Sequence, residues 1–194
     1  TTEPIYEAIH TDFWWEEVVE FSFSNGNTVI HTYSDIEPGV VYVLACSPGG
    51  YAQFQSGDSA VVDFVTGVID QSGVGNLGPQ IVNNFVETNR IYLESSISST
   101  SECQSGSTSS DSLVGLMQLL HLRLLSPKVD EQAFTQGLVD LDSYMENADD
   151  PYWVSFVKIL EMTYGDDSHR IFPTPEQIEA LTPQKTLEMY EEAF

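Results

Sequence analysis

The histidines are the side chains of this chain best suited to bind a catalytic metal. They are His10, His31, His121 and His169. A helical zinc site needs two imidazoles four positions apart, because both must reach one ion from the same helix face. None of the four lies in a His-x-x-Glu-His or His-Glu-x-x-His pattern, and Asp58, Asp63 and Asp70 are not four positions apart either. The sequence therefore predicts no catalytic, cofactor-binding or metal-binding residue, and it assigns none of the histidines a role.

Other motifs also give no indication of catalysis. The chain has no Gly-x-Ser-x-Gly pattern, and Gly73 and Gly75 lack the spacing and the following lysine of a phosphate loop, so they predict a tight turn. Paired acidic residues are interpreted as solvated faces, and a tryptophan pair as packing of a terminal segment. These pairs are Glu16-Glu17, Asp149-Asp150, Asp166-Asp167, Glu191-Glu192 and Trp14-Trp15.

Cys46 and Cys103 are the two cysteines. They do not form a Cys-x-x-Cys pair, which excludes a structural zinc ribbon. Two free thiols are the default expectation. A disulfide requires that the two strands be neighbours, and it would indicate an oxidising compartment. The sequence leaves the pairing open.

Charge is the unusual property of the composition. Six Lys and Arg against 30 Asp and Glu give a net charge of −24, which argues against nucleic acid and anionic membrane surfaces as partners. The acidic surface is either an adaptation to salt or a wall that attracts basic peptides. The content of 41% hydrophobic residues in 194 predicts one globular domain with its own core.

The first half of the chain has the alternation of strands. Val19, Phe21 and Phe23 lead into Asn25-Gly26, a strong hairpin signal, and 28–33 is the return strand. The apolar run 40–47 predicts a central strand. A helical period follows at Ala60, Val61, Phe64, Val65, Val68 and Ile69. A second short helix is predicted around 81–86 and a strand over 90–97. The Ser-rich segment 98–110 could be a linker, but Gly106 and the flanking alternation favour a hairpin or a ragged strand pair.

The second half is predicted to be helical. Apolar stripes run through 113–124, 133–145 and 154–164, with Pro127 ending the first and Asp130 capping the second. Thr174-Pro175 and Thr182-Pro183 predict two further helix starts. Strands followed by helices predict an α+β fold, with two layers and helices on one face of a mostly antiparallel sheet of about five strands.

Several segments, in this order and spacing, resemble the pitrilysin/insulinase and mitochondrial processing peptidase family of inverted-motif zinc metallopeptidases. The segments are 21–29 (FSFSNGNTV), 49–53 (GGYAQ), 59–64 (SAVVDF), 72–75 (SGVG), 116–122 (LMQLLHL), 126–134 (SPKVDEQAF), 164–170 (YGDDSHR), 174–178 (TPEQI) and 181–182 (LT). In active members the helix around 59–69 carries His-x-x-Glu-His, and here it carries valines. The resemblance therefore implies a domain of the non-catalytic C-terminal half.

The missing His-x-x-Glu-His motif determines what the resemblance implies for function. The chain is expected to be a non-catalytic, zinc-less domain of a zinc-dependent endopeptidase, not an enzyme by itself. It would help to form the peptide-binding chamber, with zinc held in a separate domain of the parent. Its expected partners are the other parent domains and the peptide substrate, and the family favours a periplasmic or secreted location.

The domain organisation is expected to be a single domain over 1–194, strand-rich over 17–108 and helical over 111–194. The resemblance further implies an excised fragment that lacks the last strand of its sheet, and the unpaired edge would be available for an edge-strand dimer. Two alternatives stay open. One is a catalytically dead scaffold or regulatory subunit on the same fold, and the other is an acidic binding module for calcium or cationic peptides, although no EF-hand spacing is present.

Overall fold

A computed structural model describes residues 6–13, 16–54, 58–146, 149–164 and 173–194 of the chain. The chain divides into two compact units, Thr1–Val40 and Val41–Phe194. The pair Trp14-Trp15, the pair Asp166-Asp167 and His169, which the sequence singled out, lie outside the described residues.

The first unit contains a three-stranded antiparallel sheet in the order β1-β2-β3. Its strands are β1 (Tyr6–Phe13), β2 (Glu16–Phe23) and β3 (Thr28–Thr32). The predicted hairpin is confirmed, because Gly26 adopts a φ of 88° between β2 and β3 and Phe21 pairs with Val29. Strand β1 was not predicted.

The second unit contains a sheet in the order β4-β6-β5, formed by β4 (Val40–Pro48), β5 (Tyr92–Ile97) and β6 (Ser101–Ser109). The Ser-rich segment is therefore not a linker, and the expected hairpin is confirmed, since β6 pairs with all of β5 in antiparallel register. The expectation of a central strand at 40–47 is wrong. Among the described strands, β4 lies at one end of its sheet, and Tyr42 and Leu44 are exposed.

The described residues of the second unit contain seven α-helices. They are α1 (Val62–Gln71), α2 (Pro79–Asn89), α3 (Leu113–Leu125), α4 (Glu131–Met145), α5 (Pro151–Tyr164), α6 (Pro175–Glu179) and α7 (Pro183–Ala193). The predicted caps are confirmed: Asp130 accepts from Gln132 N at 3.0 Å, and Thr174 forms a capping box with Gln177. In the part of the chain that is described, no helix combines the length and apolarity needed to cross a bilayer.

The core of the second unit lies where α1, α4 and α7 meet. The buried apolar side chains of this cluster are Val61, Val62, Phe64, Val65, Val68, Ile69, Ile97, Ala133, Phe134, Leu181, Met189, Tyr190 and Ala193. The helical stripe predicted for α1 supplies five of them, and Val62 is a further buried residue of the same helix. A smaller cluster under α2 and α3 contains Val74, Val82, Ile91, Leu116 and Leu119. The α+β class with antiparallel sheets is thus confirmed, and the described strands number six in two sheets of three.

A disulfide joins Cys46 on β4 to Cys103 on β6. The default of two free thiols is therefore wrong. The two strands are neighbours in the sheet, so the Cα atoms of the cysteines lie 4.2 Å apart although 57 positions separate them in sequence. The sequence alone could not establish that these two strands are neighbours, and the disulfide depends on it.

Candidate functional site

Helix α1 is the element on which the family resemblance expects zinc chemistry. Its core face is apolar, with Val62, Val65 and Ile69 all buried. These side chains face the packed interior, so they could not bind a metal or a substrate. The open part of α1 lies beside α4, where Asp63, Gly67 and Gln71 border a groove.

A groove of about 350 Å³ lies between α1 and α4. It is lined by Ala60, Asp63, Phe64, Gly67, Val68, Gln71, Gly137, Asp140, Leu141, Tyr144 and Pro173. We call it the α1–α4 groove. Its volume lies within the range of roughly 300–1,000 Å³ that is common for ligand pockets, and its lining combines apolar side chains with a few polar groups.

Two glycines shape this groove in different ways. At Gly137 on α4, a Cβ atom would approach Val68 Cγ2 to 2.8 Å and Phe64 Cε2 to 3.1 Å, so glycine is what allows α4 to lie this close to α1. At Gly67 on α1, a Cβ atom would meet nothing within 4 Å. Glycine inside a helix costs about 1 kcal/mol relative to alanine. Packing does not require Gly67, and its effect is to leave the groove open.

Asp63 and Asp140 place carboxylates in the groove from opposite helices. Burial raises the pKa of Asp63, and a hydrogen bond from the Tyr51 hydroxyl opposes that rise. Asp140 Oδ1 accepts a hydrogen bond from Gln136 Nε2 at 2.9 Å. Within the described residues, neither carboxylate forms an ion pair with Lys or Arg. The groove therefore presents negative charge at its sides and an apolar floor.

These residues do not fit a zinc ion. Zinc in proteins is bound mainly by imidazole and thiolate, and the described lining of the groove contains neither. Over the described ranges, no group of three His, Cys, Asp or Glu is placed to hold a metal. His31 and His121 are exposed on β3 and α3, and the side chain of His10 lies outside the described residues.

A buried ion pair holds α1 and α3 together below the groove. Arg123 on α3 donates to Asp70 Oδ1 on α1 at 2.7 Å, and the Arg123 side chain is 3% exposed. Ser95 on β5 donates to both carboxylate oxygens through its backbone N–H at 2.8 Å and its hydroxyl at 2.7 Å. Burial raises the pKa of Asp70, while the Arg123 charge and the Ser95 hydrogen bonds lower it by less.

The same polar network extends to the last helix. Gln104 on β6 donates to Ser95 Oγ and to Tyr190 Oη, each at 2.8 Å. The network thereby connects α1, α3, α7 and the sheet. Sequence analysis missed it, because each member lies in a different element and shows no spacing motif. One indication of the network was present in the sequence, because Arg123 is the one Lys or Arg in the mostly apolar helix α3.

Comparison with known proteins relates this chain to zinc proteases. No family model matches the chain. In sequence it is 25% identical over 144 residues to the probable zinc protease PqqL of Haemophilus influenzae, a match that covers 73% of this chain and 16% of that protein. The resemblance to zinc proteases of the pitrilysin/insulinase type is therefore confirmed.

Solved structures confirm the fold. The periplasmic protease PqqL from Escherichia coli matches with a TM-score of 0.84 at 18% identity, over all of this chain and 21% of that chain. The ferredoxin protease FusC, solved in complex with Arabidopsis ferredoxin, matches with a TM-score of 0.80 at 16% identity, again over all of this chain and 21% of that one. The chain thus spans about a fifth or less of the length of these relatives.

Proposed function

We propose that this chain is a non-catalytic, zinc-less domain of a larger zinc-dependent endopeptidase of the pitrilysin/insulinase type, in which it forms part of the peptide-binding chamber. The observation that carries the proposal is the combination of a sequence match to a zinc protease with an α1 helix that has no histidine. Zinc and the hydrolytic step then belong to a separate domain of the parent. The chain by itself contributes binding surface.

The α1–α4 groove favours a role in peptide binding over a purely scaffolding or regulatory role. A scaffold has no need of an open helix–helix groove, whereas a chamber wall does. The groove fits the side chain of a lysine or arginine in the peptide, because its methylene stem can lie on Phe64 and over Gly67 while its charge approaches Asp63 and Asp140. The net charge of −24 would attract basic peptides to the same wall.

An oxidising compartment, periplasmic or secreted, is part of the proposal. The Cys46–Cys103 disulfide supports it, because disulfides persist in such compartments and are rare in the cytosol. The description of the Escherichia coli relative as a periplasmic protease agrees with it.

The first experiment compares the complete product of the gene that encodes this chain with the 194-residue chain alone. We expect the complete product to contain zinc and to cleave a quenched fluorescent peptide until a chelator is added, whereas the isolated chain does neither. A complete product that cleaves nothing unless a separate active subunit is supplied would instead support the scaffold role. Stoichiometric zinc in the isolated chain, with cleavage that a chelator abolishes, would refute the proposal.

The second experiment tests the groove with two substitutions at one position. Gly67→Leu should fill the groove without disturbing the core, because a side chain there meets open space, and Gly67→Ala is the matched control. The probe is an acetylated, amidated peptide with one central arginine, compared with its citrulline analogue, in calorimetric titrations of the isolated chain. We expect Gly67→Leu and the loss of the arginine charge each to weaken binding at least tenfold, and Gly67→Ala to bind normally. Equal affinity in all six combinations of the three proteins with the two peptides would rule out the groove as the contact.

A further inference from the structure

Helix α5 carries apolar side chains on two faces, and one of them is uncovered. Trp153 and Val157, four positions apart, are half-buried, and Trp153 packs edge-on against Tyr144 of α4 with ring centroids 6.4 Å apart. None of the α5 side chains that the structure describes is fully buried. This inner face is thus what attaches α5 to the unit.

The uncovered face is formed by Tyr152, Phe156, Ile159 and Met162, which we call the α5 outer stripe. Their spacing of four, three and three positions places them along one side of a helix. Tyr152 is 70% exposed, Ile159 59% and Met162 80%. The rings of Tyr152 and Phe156 are nearly parallel, with an interplanar angle of 7° and centroids 6.4 Å apart, so the stripe begins with two adjacent aromatic side chains. A helix that is apolar on both sides is typical of a helix enclosed between two layers.

We propose that the α5 outer stripe is the docking surface for a neighbouring domain of the same polypeptide. This inference rests on the proposed function, in which the chain is one domain of a longer protein. The relatives extend far beyond the region that matches this chain, which covers 16% of one and 21% of two others. A neighbouring domain is therefore the partner that the comparisons make available.

The net charge of the chain and the small area of the α5 outer stripe disfavour a second copy, a membrane surface or a freely associating protein as its partner. Two copies of a chain with net charge −24 repel each other, and so do the chain and an anionic membrane surface. A partner that associates freely needs roughly 800 Å² of surface on each side, more than four partly exposed side chains provide. A domain on the same polypeptide needs less, because its effective concentration is fixed by the connecting chain.

Methionine oxidation tests the assignment, because exposed methionine is oxidised by hydrogen peroxide to the sulfoxide and buried methionine is protected. In the isolated chain we expect Met162, 80% exposed, to react at least as fast as Met117, 46% exposed, and much faster than Met189, 4% exposed. In the complete gene product, the rate at Met162 should fall at least tenfold while Met117 keeps its rate. Mass spectrometry of the three peptides gives all rates from one sample.

Two outcomes would overturn the inference. Equal Met162 rates in the isolated chain and the complete product would show that no domain covers α5, and protection in the isolated chain that is lost on dilution would identify a second copy as the occupant. A gene that encodes no further domain would refute the proposed function itself, which separates the two failures.

A pair of substitutions keeps the test independent of oxidation chemistry. Ile159→Gln should lower the melting temperature of the complete product by several degrees and leave the isolated chain unchanged. Val139→Gln is the matched control, because Val139 lies on α4 and is also exposed. Equal effects of the two substitutions in the complete product would contradict the assignment.

Discussion

Reduction of the Cys46–Cys103 disulfide should lower the stability of the chain without unfolding it. Cys46 is exposed, so a reductant can reach the bond in the native state. Hydrogen bonds hold the end of β4 to β6 independently of the sulfur atoms: Glu102 accepts from Gly50 N at 2.7 Å and from Ser47 Oγ at 2.9 Å. The native sheet should therefore persist, and the loss of stability should arise mainly in the unfolded chain.

The magnitude follows from the length of chain that the disulfide closes. For a separation of 57 positions, the chain-entropy model gives about 4 kcal/mol at 25 °C. For a protein of this size, that loss corresponds to a fall in melting temperature of about 10 °C. The urea m-value should rise at the same time, because the reduced unfolded chain is less compact.

The assay is urea and thermal unfolding followed by circular dichroism, with and without dithiothreitol, with both thiols counted after denaturation. The double variant Cys46→Ala/Cys103→Ala should match the reduced protein and should not respond to dithiothreitol. If complete reduction leaves both the melting temperature and the m-value unchanged, then the disulfide does not restrain the unfolded chain as argued here.

Three further predictions concern the second unit. Asp70→Asn should lower the free energy of unfolding in urea by about 3–5 kcal/mol, because it leaves Arg123 buried without its counter-charge. Gly67→Ala should raise that free energy by up to about 1 kcal/mol, whereas Gly137→Ala should lower it by about 1–3 kcal/mol, because only the second Cβ meets neighbouring atoms. Asp63→Asn should raise the melting temperature at pH 7 but not at pH 3. The folded state raises the pKa of Asp63, so the stability contributed by this carboxyl falls as the pH rises above its ordinary value of 3.8.

For each of these predictions, a specific experimental result would contradict it. Loss of the Asp70 charge at no cost in stability would mean that Arg123 finds water when its partner is removed. The same sign of change at Gly67 and Gly137 would contradict the described shape of the groove. A stabilisation by Asp63→Asn that is equal at pH 3 and pH 7 would show that the effect does not arise from ionisation.

The sequence predicted those elements whose cause is local. Asn25-Gly26 sets its own hairpin, Thr174 and Gln177 cap one helix turn, and the period of α1 identifies its buried face. In each case the interacting residues are at most a few positions apart, so the pattern is visible in a short window. The zinc-protease resemblance was visible for a related reason, since it depends on the order of such local segments.

Several features that sequence analysis missed or left open depend on distant pairings. Cys46 and Cys103 are 57 positions apart and meet because β4 and β6 are neighbours in the sheet. Arg123 and Asp70 are 53 positions apart and meet because α1 and α3 lie on the same sheet. The α1–α4 groove likewise depends on the distance between two helices. Gly137 allows this close approach, and the hydrophobic period of the sequence does not reveal it.

The two faces of α1 explain how this fold can persist without zinc chemistry. Val62, Val65 and Ile69 bury one face in the core and contribute to stability, whereas Asp63 and Gly67, four positions apart, face the groove. Because the groove positions are not part of the core, they can change without loss of the fold. Two positions four apart on the open face of a helix are the spacing that a pair of zinc-binding imidazoles requires. In this chain the same spacing holds an acidic side chain and an open space, which is the arrangement that the proposed binding of a cationic side chain requires.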